Sequence, residues 1–229
     1  MVKLAREHTT SLLSQDESGM GYQIVEVTMS DDTLKHGVAF NAEVLLFDDE
    51  SFGDFAKHFR AFAYYDTALE VLRSSWQEGV KTLRVLTEAG THQPAISVKE
   101  SAAEYGKYTG GAADAPCEET KAGDAFRRFS AFPNDKRIKA DGSVYPGTYA
   151  TTAEDGDKVK TGLEAVERYA LPNPMPASYR FAIQPDKDIL IKKGIAQPAY
   201  GHCGGGAEVI FVEGTQPKTV TVMKPLKDK

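Results

Sequence analysis

Apolar residues in this chain follow two rhythms, and the two are segregated along it: helix-like spacing comes early, and short β-branched runs come late. Phe52, Phe55, Phe59, Phe62, Leu69 and Leu72 recur mostly at threes and fours, with Asp49 and Ser51 as candidate caps, which predicts the longest helix over 49–76. Leu4, Leu12 and Leu13 predict a short leading helix that ends before Gly19 and Gly21. Residues 22–29 (YQIVEVTM) and 37–47 (GVAFNAEVLLF), joined by the polar link SDDTLKH, predict a hairpin, and VKTLRVLTE a further strand. Later, a loop and the run SVYPGTYATT lead to one short helix in GLEAVERYAL, after which SYRFAIQP, ILIKKGI, AEVIFV and TVTVMK read as strands.

Helices and strands that do not alternate regularly argue against a doubly wound parallel sheet. The predicted fold class is α+β: an N-terminal mixed helix and hairpin region followed by a compact, mostly β domain. The stretch 89–120, rich in Ala, Gly, Thr and charge without a sustained period, is read as linker or irregular surface, so the boundary is set near 120. Residues 1–120 then form an accessory α+β region and 121–229 the functional domain.

Composition narrows the partners. With 41% hydrophobic and 26% charged residues the chain is of ordinary globular make-up. A formal net charge of -6 and a pI of about 5.5 offer no basic field for nucleic acid. No apolar run approaches the ~18–20 residues of a membrane span, and residues 1–14 lack the apolar centre of a signal peptide. The expectation is a soluble protein, cytoplasmic or exported without a recognisable signal. Cys117 and Cys203 are too few for a disulfide framework and have no zinc-ligand spacing, so free, semi-buried thiols and no metal are expected.

Three segments carry candidate chemistry. In Phe126-Arg127-Arg128-Phe129, strand alternation sends the two guanidiniums to opposite faces. One of them can fork onto a pyrophosphate in a cleft, or both can be surface charges. In 200–208 (YGHCGGGAE), Gly204, Gly205 and Gly206 either admit a ligand to the backbone or make a tight turn; the GxxxxGK[ST] phosphate loop is absent. Glu208, just before an apolar strand, either lies at a cleft mouth or at a solvated strand edge. At a cleft mouth it can bond a ribose hydroxyl and stabilise positive charge developing at the anomeric carbon. His202 is a general acid or base by its ordinary pKa of ~6.5, or a loop hydrogen-bonder, and is taken as a lining residue. Tyr149, in the run 147–152, and Tyr169 stack on a ring or belong to the core. A Cys203–His202 nucleophile pair is disfavoured, because neighbours on an extended chain point apart.

Taken in order, FRRF, DGSVYPGTYATT, ERYALPNPMPASYRFAI and KKGIAQPAYGHCGGGAEVIF resemble the NAD-glycohydrolase domain of the tuberculosis necrotizing toxin type, a family related in fold and substrate to the ADP-ribosyltransferases. The resemblance covers about the last 90 to 100 residues of the sequence. It implies an ADP-ribosyltransferase-like domain that cleaves the nicotinamide–ribose bond of NAD, as a toxin or effector with an immunity or inhibitor protein. The family arginine falls on Arg128, with Arg127 as the one-residue alternative, and is implied to hold the dinucleotide phosphates. The family's glutamine after the triple glycine is replaced here by Glu208, which leaves transfer to a protein or small acceptor open beside hydrolysis. The implied site is Arg128 and Glu208 as catalytic residues, with Arg127, Phe129, Tyr149, Thr151, His202, Gly204, Gly205 and Gly206 lining NAD. A non-catalytic protein-binding module is the competing reading.

Overall fold

A computed structural model describes residues 2–47, 80–85, 111–173 and 175–227, so the helix expected over 49–76 lies outside the described residues. The chain divides into two compact units, Met1–Ser18 with Tyr22–Glu88, and Gly19–Gly21 with Ala89–Lys229.

In the first unit, β1 (Val2–Lys3), β2 (Tyr22–Met29), β3 (Leu34–Phe40), β4 (Val44–Phe47) and β5 (Val80–Val85) form an antiparallel sheet in the order β1-β4-β3-β2-β5. Alternation turns Val25 and Val27 inward, where they join Ala39, Leu45 and Val85 and the Leu12 side chain of helix α1 (Arg6–Leu13). The carbonyls that α1 leaves unpaired at its C-terminal end need donors. The buried Gln23 side chain supplies one, donating to Leu12 O at 2.8 Å and to Asp16 O at 3.0 Å.

The expected hairpin is therefore three strands. The apolar run 37–47 breaks after Phe40 because Asn41 (φ 52°) and Ala42 (φ 50°) take left-handed conformations and turn the chain. Asparagine tolerates that region through its short polar side chain, and the apolar pattern hides the turn. The link before it is shorter than expected, since Thr28 already pairs with Leu34. Asp31 closes that tight turn by accepting from the N–H and hydroxyl of Thr33.

The second unit is a seven-stranded sheet with the order β12-β9-β7-β8-β11-β10-β6. Its strands are β6 (Cys117–Glu119), β7 (Phe126–Ser130), β8 (Thr148–Thr152), β9 (Tyr179–Ile183), β10 (Leu190–Ile195), β11 (Ala207–Phe211) and β12 (Val220–Val222). Every pairing is antiparallel. The boundary expected near 120 moves toward the N-terminus, because β6 lies on the edge of this sheet, pairing Cys117 with Lys192. A 3-10 turn, Ala112–Asp114, precedes it.

Each face of the sheet has its own apolar cluster. Phe126, Ala150, Ile183, Ile191, Val209 and Phe211 fill one, with the Phe126 and Phe211 rings edge to face at 5.1 Å. Phe129, Tyr149 and Ile210 fill the other, covered by Val159, Val166, Tyr169 and Leu171. That cover includes two short helices, α2 (Ala153–Gly156) and α3 (Gly162–Arg168). Thr152 and Thr161 cap them by accepting from the N–H groups of Asp155 and Glu164. Two antiparallel sheets with few helices make the described chain α+β and mostly β. No helix among the described residues is long and apolar enough to cross a membrane.

Candidate functional site

Strand register decides which of the candidate residues can meet. Arg127 pairs with Thr151 across β7 and β8, and Tyr149 pairs with Ile210 across β8 and β11. Directly paired residues share a face, and so do residues two apart on a strand. Arg127, Phe129, Tyr149, Thr151 and Glu208 therefore belong to one face of the sheet. Arg128 belongs to the other.

That placement corrects the role expected of Arg128. Its side chain is 0% exposed and forms a buried ion pair with Asp135, through Nε at 2.7 Å and Nη2 at 3.1 Å, while Nη1 donates to Tyr149 O at 2.7 Å. Asp135 also accepts from the N–H of Arg137 at 2.9 Å. Such a guanidinium is spent on the fold, because removing it would strand a buried carboxylate. Arg127 is the arginine on the Glu208 face. It donates from Nε and Nη2 to both oxygens of Asp157, at 2.9 and 3.0 Å, and α2 packs against its stem near Gly156.

Glu208 sits opposite Gly194 on β10, so its cross-strand partner there presents no side chain. Ala112 donates its N–H to Glu208 Oε2 at 2.9 Å. Burial pushes the Glu208 carboxyl above its ordinary pKa, and the Ala112 N–H offsets this in part. Among the described residues no cation pairs with it. A carboxylate held in this way is poorly solvated and acts strongly on any positive charge brought near it.

The ring-stacking roles given to Phe129 and Tyr149 do not fit. Phe129 is 0% exposed and already stacked on Tyr169, with centroids 5.4 Å apart, and Tyr149 is buried in the same cluster. The three glycines serve packing as well. Gly204 donates to Glu167 O, Gly205 to Ala196 O and Gly206 to Arg168 O, so none of these N–H groups is left to cradle a phosphate. A Cβ on Gly206 would run into the Tyr169 ring, and one on Gly204 would meet Ala196 O at 2.5 Å.

His202 and Cys203 both turn to Glu167 rather than to each other. His202 Nδ1 lies 2.8 Å from Glu167 Oε2, and the N–H of Cys203 donates to Oε1 at 2.9 Å. Burial would raise the Glu167 pKa, but the bonds from Cys203 and His202 outweigh it and the group is lowered. Hydrogen bonding to Glu167, then its charge, raises the Cys203 thiol, which opposes a thiolate nucleophile. Both cysteines are free and exposed rather than semi-buried.

Asp155 is the residue that sequence reasoning missed. Fully buried at the start of α2, it accepts from Arg168, from the Tyr169 hydroxyl at 3.0 Å and from the N–H of Ala207 at 3.1 Å. It thereby ties α2 and α3 to the start of β11, one residue before Glu208. Burial, then the Asp155 charge, pushes the Tyr169 phenol far up, so it stays a donor. The available signal was the capping-box spacing Thr152-Ala-Glu-Asp155. Among the described residues no group of three or more His, Cys, Asp or Glu side chains is placed to hold a metal ion. Comparison of the chain with protein-family profiles, with curated proteins and with solved structures found no match in any of the three.

Proposed function

We propose that this chain consumes NAD by cleaving the nicotinamide–ribose bond, with water as the acceptor, in an ADP-ribosyltransferase-like domain. One observation carries the reading: Glu208 is a half-buried carboxylate without a cationic partner among the described residues, and it shares a sheet face with Arg127 and Thr151. Positive charge develops at the anomeric carbon as the glycosidic bond opens. A preorganised, poorly solvated carboxylate beside that carbon stabilises it. The bonding pair leaves with the nicotinamide ring nitrogen and cancels that nitrogen's positive charge. Water then bonds to the carbon and loses a proton to solvent. The leaving group is already good, so positioning and one carboxylate suffice.

In this reading Arg127 takes the phosphate role that the fold denies to Arg128, exchanging its partly exposed Asp157 partner for the dinucleotide. Asp155, through Tyr169 and Ala207, is a positioning residue for Glu208. The carboxylate at 208, where the resembled family has glutamine, favours a second reading in which a protein or small molecule replaces water as acceptor. A toxin or effector role, with a neutralising partner protein, follows from the damage that NAD consumption does to a cell. Nicotinamide release from NAD, with and without candidate acceptor proteins, tests the proposal. Release without labelling of an acceptor supports hydrolysis, labelling supports transfer, and neither outcome under any condition would leave a protein-binding module.

A further inference from the structure

The Arg127–Asp157 pair has cationic neighbours that the reaction above does not use. Arg180 on β9 pairs with Phe129 on β7, which puts it on the same sheet face as Arg127, one diagonal away. Its Nη1 lies 4.0 Å from the Asp157 oxygen that Arg127 already engages. Its Nε is buried with no hydrogen-bond partner among the described residues. Lys160 is held to the same residue, donating from Nζ to the Asp157 main-chain carbonyl at 2.6 Å. Glu164 accepts the N–H of Lys160, and the Asp155 carboxylate on the Arg127 side is already paired with Arg168. The Asp157 carboxylate, which Arg127 and Arg180 approach, has a side chain 50% exposed.

We propose that Arg127, Arg180 and Lys160 form a diphosphate-binding subsite in which the Asp157 carboxylate stands in for the ligand in its absence. A carboxylate offers two oxygens and one charge. A diphosphate offers more acceptors and more charge in the same space, and guanidinium forks match it bidentately. It also gives the orphaned Arg180 Nε an acceptor, which the Asp157 carboxylate does not supply. Partly exposed ion pairs such as Arg127–Asp157 hold weakly, so exchange is easy. The subsite rests on the NAD reading for its natural ligand, the bridging diphosphate of the dinucleotide, but not for its existence.

Calorimetric titration of the full chain with inorganic pyrophosphate, and separately with ADP-ribose, tests it. Wild type should bind both, and Arg180→Gln should weaken each at least tenfold, with Arg180→Lys between the two. Asp157→Asn, which removes the competitor at an exposed position, should tighten pyrophosphate severalfold, and it carries the test if Arg180→Gln fails to fold. No pyrophosphate binding by wild type, or equal binding by Arg180→Gln, overturns the subsite. Binding of pyrophosphate but not ADP-ribose assigns the subsite to a free diphosphate and removes the dinucleotide as its ligand. The two proposals fail separately. Nicotinamide release with an unchanged KM in Arg180→Gln would overturn the subsite alone, whereas Arg180-dependent pyrophosphate binding without any nicotinamide release would overturn NAD cleavage alone.

Discussion

Replacing Arg128 by methionine should destabilise the second unit rather than merely disarm it. Arg128 and Asp135 have side chains 0% and 1% exposed, joined by two hydrogen bonds, and the same guanidinium donates to Tyr149 O. Without it, Asp135 keeps the N–H of Arg137 but sits as a buried charge with no counterion among the described residues. Breaking one side of such a pair costs about 3–5 kcal/mol. Native stabilities are only about 5–15 kcal/mol, so much of the margin goes. At roughly 2–4 °C per kcal/mol for domains of 150–250 residues, the melting temperature should fall by about 6–20 °C. Thermal and urea unfolding followed by circular dichroism measure the melting temperature and the free-energy loss, with Arg127→Met as the control, since its partly exposed pair with Asp157 is worth about 0–1 kcal/mol. The double variant Arg128→Met with Asp135→Leu should recover most of the loss, because the stranded charge goes too. Stability of Arg128→Met within about 1 kcal/mol of wild type, together with a raised KM for NAD, would refute this reasoning and return the phosphate role to Arg128.

Three further outcomes are expected. Gly204→Ala should destabilise by at least the roughly 1–3 kcal/mol of overpacking, because its added Cβ meets the Ala196 carbonyl and its φ is +66°; unchanged thermal melting would count against the packed reading of this turn. The raised pKa of Glu208 has a definite sign in stability. Its burial is harmless below the unfolded pKa of about 4.3, and the chain loses stability as pH rises from there through the higher folded value. Glu208→Gln should therefore gain on wild type between acid and neutral pH in denaturant titrations, and a gap independent of pH would contradict it. Glu167→Gln should speed alkylation of Cys203 by iodoacetamide at mildly alkaline pH, because the bond and charge that raise the thiol are lost; an unchanged rate would remove Glu167 from that role.

What could be read in advance divides along physical lines. Alternating β-branched and apolar runs place β2, β5 and β9 to β12 within a few residues, since side-chain period is a local property. The turn at Asn41 was hidden because its residues sit inside an apolar run, and the edge strand Cys117–Glu119 because its residues are polar on both faces. Alternation predicted that Arg127 and Arg128 face opposite ways, but which one is buried depends on Asp135, whose loop closes over the sheet only in three dimensions. Glu208 was legible as a carboxylate entering an apolar strand. Arg180 was not, because nothing local distinguishes an arginine in YRF from a surface charge until β9 lies beside β7.

The most direct test of the central claim is nicotinamide release from NAD by the purified chain beside its Glu208→Gln variant. Wild type should release nicotinamide, Glu208→Gln should lose most of its turnover with NAD binding largely kept, and the acid limb of the pH profile should lie above the ordinary glutamate range. Turnover of the variant within about threefold of wild type, under ~1 kcal/mol of transition-state stabilisation, would contradict it.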